Sequence, residues 1–217
     1  MRALLTTALV VFGLSSAVAT DQPEAPGNKF LQREFDTTLA IAGSAVARYG
    51  VTDTAMALVR EALARLAGQP MLRDNAKLQE IHGSPKSNAA VLATRGDDSV
   101  TLFLARFEKG HPTPLHDHQT WGIVYVLEGR DHYVHMTARF ARDSAHADLQ
   151  VDFDTVLTPG TSVYWLPPPR DLHTQEALDS VVWELVLAGR NLLGPSVMPH
   201  RHYFDPETGN VSHTPPK

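Results

Sequence analysis

After Pro85 the sequence settles into short apolar runs closed by turn-forming residues, and this rhythm limits that part of the chain to an antiparallel sandwich or barrel. The runs cover 89–94, 100–107, 122–127, 132–140, 150–157, 162–166 and 180–188. Gly96-Asp97-Asp98, Glu128-Gly129-Arg130 and Pro159-Gly160 supply turns between them. Before Pro85 the period is helical. Phe30, Leu31, Phe35, Leu39, Ile41 and Ala42 predict a helix over 30–48, with Gly50 at its stop. A second helix is capped by Thr52 or Asp53, carries Met56, Leu58, Val59, Leu63 and Leu66 on its apolar stripe, and ends at Gly68 and Pro70. A shorter helical piece is expected over 71–81. The chain thus divides into a helical cap (29–84), a barrel (85–193) and an irregular C-terminal tail (194–217).

The N-terminus reads as a targeting segment. Met1 and Arg2 precede an apolar run over 3–14 and the small-residue ending Ala17-Val18-Ala19, the layout of a secretory signal peptide cleaved after Ala19. The apolar run is too short to serve comfortably as a membrane anchor. Residues 20–28 then form a linker, and the mature protein is expected in the periplasm or outside the cell. Losing Arg2 leaves 18 basic residues against 24 acidic ones, which argues against nucleic acid as a partner. There is no cysteine, so any metal must be held by nitrogen and oxygen donors.

Chemistry concentrates in the segment Leu115-His116-Asp117-His118-Gln119-Thr120-Trp121-Gly122. In extended backbone, alternate residues share a face, so His116 and His118 present two imidazoles to one side while Asp117 points away. Two converging imidazoles are half of a metal site, and His173, after the Pro167-Pro168-Pro169 turn, is placed to complete it.

The His-x-His segment closing at Gly129, with Gly160 and His173 later, resembles the paired motifs of the cupin superfamily. More narrowly, His-Asp-His-x-Thr-Trp-Gly, Leu-Glu-Gly and Asp-Leu-His are similar to the cysteine dioxygenase family, including its bacterial 3-mercaptopropionate dioxygenase relatives. The resemblance implies a mainly β fold, a double-stranded β-helix (cupin, jelly-roll barrel) with N-terminal α-helices. It also implies Fe(2+) on His116, His118 and His173, and O2-dependent oxidation of a small thiol. The usual cupin glutamate falls near Gly122 or Ile123, neither of which binds metal, as in the thiol dioxygenases. The family's Ser-x-His-x-Tyr series falls on Glu184, Val186 and Ala188. Its carboxylate-binding arginine falls near 88–90, where none stands, with Arg95, Arg106 or Lys86 as replacements. A cysteine–tyrosine crosslink is ruled out by composition.

Alternation along 181–188 puts Val182, Glu184, Val186 and Ala188 on a pocket face and Val181, Trp183, Leu185 and Leu187 on a packing face. Glu184 is therefore a candidate fourth ligand, general base or hydrogen-bond acceptor; the alternative is a carboxylate paired with an arginine on a neighbouring strand. Trp121 and Trp165 read as core aromatics, with Trp121 near enough to the motif to line the pocket mouth. Tyr125 and Tyr164 are candidate pocket phenols. His132 and His135 fall on opposite faces, His82, His111 and His146 near turns, and His200-x-His202 in a surface or lid segment. The functional reading is an exported iron dioxygenase acting on a small organic substrate with O2. Two rivals stand beside it, a non-catalytic metal- or ligand-binding cupin and a Mn-, Ni- or Zn-dependent isomerase or hydrolase, which a Glu184 ligand would favour. Exposed barrel edge strands need covering, and homo-oligomerisation is one way to cover them.

Overall fold

Helix α1 (Pro26–Tyr49) buries Leu31, Phe35, Leu39, Ala42 and Ala45, residues three or four apart that share one side. Phe30, expected on that stripe, lies beside it and is exposed. Gly50, at a φ of +68°, ends the helix by donating its N–H to the Val46 carbonyl at 2.9 Å, in a conformation that glycine adopts without a Cβ penalty. Helix α2 (Asp53–Ala67) begins at Thr52, whose hydroxyl accepts from the Ala55 N–H. It buries Met56, Val59, Leu63 and Leu66, whereas Leu58 is exposed, a second departure from the expected stripe. The computed structural model describes residues 26–72, 89–96, 99–140, 145–193 and 201–215. The helix expected over 71–81 lies outside them, apart from a 3-10 turn at Pro70–Leu72.

Strands follow in chain order: β1 (Ala89–Thr94), β2 (Thr101–Glu108), β3 (Gly122–Glu128), β4 (Asp131–Phe140), β5 (Ala147–Leu157), β6 (Ser162–Trp165), β7 (Leu172–Ala177), β8 (Val181–Ala188), β9 (Tyr203–Phe204) and β10 (Val211–Ser212). They pair antiparallel into one sheet ordered β1-β2-β8-β3-β6, another ordered β5-β4-β7, and the hairpin β9-β10. Residues of both sheets meet in one interior: Phe103, Val124, Val126, Trp165, Val182 and Ala188 from the larger, Tyr133, Leu157 and Ala177 from the smaller. The larger sheet's other face, with Leu102, Leu104, Ile123, Tyr125, Trp183, Leu185 and Leu187, is covered by α1 and α2. The fold is a double-stranded β-helix with two N-terminal helices laid over one sheet. Strand β7 and the β9-β10 hairpin were not expected, and the hairpin corrects the reading of the tail as irregular throughout.

This parity corrects the substrate-pocket residues. Tyr125 alternates with the inward Val124 and Val126, so it faces the helices, where with Trp183 and Leu104 it lines a cavity of about 460 Å³ beside α2. Arg106 shares the outer side with Leu104; its guanidinium meets Glu108 at 2.7 Å and lies 5.7 Å from the Trp183 ring. Tyr164 points outward too, its hydroxyl donating to Asp53 at the start of α2. Trp121 belongs to the same helix-side cluster. None of the four reaches the barrel interior.

Leu63 on α2 is fully buried in the cluster that joins the two helices to the larger sheet. Leu63→Ala is expected to cost about 2–5 kcal/mol, read as a lowered denaturant midpoint, while leaving metal binding by the folded protein unchanged.

Candidate metal centre

His116 and His173 are joined through their backbones: each N–H donates to the other's carbonyl at 3.2 Å. Asp117 and Leu115 are tied in turn to the tail, the Asp117 N–H donating to the His202 carbonyl and the Phe204 N–H to the Leu115 carbonyl. The His-x-His segment is therefore extended between β7 and β9 without belonging to a long strand, and the alternation it was expected to follow holds. His116, His118 and His173 bring one ligand atom each within 4.8 Å of one another, and all three rings are buried. Ring centroids lie 4.6, 5.0 and 4.7 Å apart.

The donor set suits a divalent cation. The His116 Nδ1–H donates to the Pro114 carbonyl at 2.7 Å, which leaves Nε2 as its free lone pair. The Nε2 atoms of His118 and His173 are 3.2 Å apart. Two such nitrogens do not turn lone pairs on each other, so either a proton lies between them or a cation sits against both. Burial, and after it the Arg201 charge, holds His116 down at about 4. Burial and the neighbouring ring and Arg201 charges hold His118 and His173 well below the usual imidazole range. All three are uncharged at neutral pH, the form that binds metal.

Side chains around the cage fix its shape. The Asp171 Oδ2 accepts the backbone N–H of His118 at 3.0 Å and of Gln119 at 2.6 Å. It thereby holds Gln119 at a φ of +57°, a left-handed turn that is uncommon outside glycine. The turn lies between His118 and Gly122 without changing the phase: Gly122, Val124 and Val126 continue the inward side of His116 and His118, and Trp121 falls with Asp117 on the other, so its nearness to the motif in sequence does not bring it to the rings. Asp117, turned away from the rings as expected, accepts from the His202 N–H at 2.9 Å, meets the His202 Nδ1 at 2.6 Å and accepts from the Gln119 amide. His202 is thus a brace for the motif rather than a lid; His200 lies outside the described residues. Trp165 stacks on His118 at 4.9 Å and lies 4.9 Å from His173, its Nε1–H donating to the Thr120 carbonyl. A Cβ at Gly122 would stand 2.0 Å from the Trp165 ring, so a glycine is needed there. His135 faces inward, meeting Asp152 at 2.8 Å and the Arg170 carbonyl at 3.0 Å, while His132 turns outward to Asp154, the split expected of them.

Glu184 faces the interior as expected but is not one of the converging ligands, and among the described residues no arginine satisfies it. Its Oε2 accepts from the Gln175 amide at 2.8 Å. The guanidinium beside the cage is Arg201, whose Nη2 is 3.3 Å from the His118 Nδ1 and 3.4 Å from the Leu192 carbonyl, with a buried, unpartnered Nε. No acidic side chain pairs with it among the described residues. Arg106 stands on the far face of the sheet. Of the residues the sequence did not single out, Asp171 left a signal, sharing a face with His173 two positions on. Arg201 left none, because its approach depends on the tail's path.

No family model and no curated protein matches the sequence. Similar solved structures include the DMSP lyase DddQ from Ruegeria pomeroyi, 19% identical with a TM-score of 0.41 over 78% of this chain and 94% of that one. A cupin-like protein from Thermotoga maritima is 19% identical with a TM-score of 0.37 over 56% and 82%. A cupin superfamily protein from Desulfitobacterium hafniense is 14% identical with a TM-score of 0.36 over 50% and 81%. A chain from the crystal structures of the DMSP lyases RdDddP and RnDddQII is matched over 48% of its length, at 21% identity and a TM-score of 0.35. At such identities no activity passes from them to this chain.

Asp171→Ala strips two backbone N–H groups of their acceptor and is expected to weaken divalent-metal binding about 10- to 100-fold, measured by chelator competition. Depressed basicity keeps the rings neutral as pH falls, so protons compete with metal only near about 4 rather than near 6.5, the ordinary imidazole value. Metal retained after dialysis should be undiminished at about pH 5.5 and lost towards about pH 4; half-loss near the ordinary imidazole value would contradict this.

The structure presents a cupin-type barrel with a buried three-histidine cage suited to a divalent metal.

Proposed function

We propose that the chain is an exported mononuclear non-haem iron oxygenase that oxidises a small organic thiol bearing an anionic group. The observation that carries this reading is the ligand set, three buried uncharged nitrogen donors with no carboxylate among them. His116, His118 and His173 would hold the ion. A ferrous ion held there would supply the redox chemistry that activates O2 towards a thiol. The chain's own residues do the rest. Trp165 packs one side of the cage and Leu115 and Leu172 are buried beside their ligands, which keeps bulk water from the rings. Arg201 offers its guanidinium to an anionic group of the substrate, orienting it by a charge-assisted hydrogen bond. Asp171 holds the His118 backbone in place. Because Glu184 is outside the ligand set, the feature that favoured a Mn-, Ni- or Zn-dependent isomerase or hydrolase is gone.

Residues 1–19, whose reading as a signal peptide supports export, lie outside the described residues; the mature chain is expected to begin at Thr20.

The test is oxygen consumption by protein loaded anaerobically with Fe(II), offered small thiols with and without a carboxylate. The reading expects uptake of O2 with formation of a sulfinic acid, abolished in His173→Ala. Arg201→Met should raise KM for carboxylate-bearing thiols about 10- to 100-fold with kcat nearly unchanged. Metal binding without oxygen uptake for any thiol would overturn this reading in favour of its rivals, which analysis of the metal bound under anaerobic conditions separates.

A further inference from the structure

A second polar group lies inside the barrel, separate from the cage. Asp131 on β4 and Glu184 on β8 come from opposite sheets, and both are fully buried. The Gln175 amide serves both, reaching Asp131 Oδ2 at 2.9 Å and Glu184 Oε2 at 2.8 Å, and the Glu176 backbone N–H also donates to Asp131. Asp131 Oδ1 and Glu184 Oε1 have no donor, yet the two carboxyl groups are within hydrogen-bonding reach of each other. Among the described residues no lysine or arginine pairs with either. The groups around the pair are Tyr133 from β4 and Gln175 from β7, with the His132 charge acting on Asp131 from the outer face, where that ring is engaged with Asp154. Two facing carboxyls in such surroundings cannot both be ionised, and one proton between them satisfies both orphaned oxygens. Burial pushes Asp131 up to about 6 and Glu184 well above the carboxylate range, the direction expected of a pair that retains a proton between them.

The pair is linked to the cage. The Tyr133 ring lies 5.0 Å from the His173 ring, while its hydroxyl feels the charges of Glu184 and Asp131; Gln175, two residues from His173, faces Tyr133 across the β4–β7 ladder. A divalent ion on three neutral imidazoles brings its full charge into a dry interior, and buried charge demands an opposite one.

We infer that Asp131 and Glu184 share one proton and release it to solvent when a divalent cation enters the three-histidine cage, so that the pair becomes the counter-charge of the metal. This rests on the cage being a metal site. The proton passes to bulk buffer, and the pair goes from one negative charge to two.

Calorimetric titration of metal-free protein with Zn(II) at about pH 7.5, in two buffers of different ionisation enthalpy, counts the protons released. Wild type is expected to release about one proton per ion more than Glu184→Gln, and Asp131→Asn to show the same deficit. Both substitutions are near-isosteric; should either fail to fold, infrared spectroscopy of the wild type alone decides. The carbonyl band of a buried protonated carboxyl should be present without metal and vanish with Zn(II). Zn(II) binding with equal proton counts, or a band that is absent or indifferent to Zn(II), overturns the inference and leaves the cage standing. Failure of the wild type to bind Zn(II) overturns both.

Discussion

Two imidazoles in one extended segment do not make a site until a third is carried to them across the barrel, and the reciprocal backbone pairing of His116 with His173 does this. The rest of the cage follows from that contact. Once the backbones are joined, alternation brings His118 to the same side and fixes its Nε2 opposite that of His173, 55 residues away in sequence. Asp171, on the same face of its segment as His173, then finds the His118 and Gln119 N–H groups and holds the turn between the motif and β3. Each ligand is thereby positioned by main-chain hydrogen bonds, the least mobile supports a protein has.

Burying this much polar chemistry has an electrostatic cost that the interior meets locally. The imidazoles stay uncharged, since protonation in so little water is unfavourable. Asp171 is pushed up to about 6 by burial, but its two backbone donors favour the ionised form. Apolar residues fill the remaining interior, with Trp165 taking the place against the rings that a larger side chain at Gly122 would deny it.

Much of this was legible in the sequence because period-two alternation is a local signal. It places Val182, Glu184, Val186 and Ala188 inward and Trp183, Leu185 and Leu187 outward, as the register of β8 with β2 and β3 shows. Carried through the motif it also puts Trp121 and Tyr125, odd-numbered like Asp117, opposite the His116 and His118 face, and Arg106 and Tyr164 stand on outer faces that the helices cover. Strand β7, by contrast, was hidden. Its inward residues are His173, Gln175 and Ala177, so the face that normally announces a strand by apolar residues is here mostly polar. The strand that carries the third histidine was the hardest to see because its inward face is polar.

The tail carries the same lesson one level further. Residues 201–204 have no apolar periodicity, yet they give His116 its second strand neighbour, Asp117 its bond to His202, and the cage its adjacent guanidinium. A barrel ending at Leu193 would keep three histidines in the same order along the chain but would leave Asp117 a buried carboxylate without its principal donors, a costly state that would loosen the segment between two ligands. Such a chain would also lose the positive charge beside the rings. The three-histidine cage and the guanidinium beside it are therefore joined through a segment that neither the barrel pattern nor the ligand motif contains.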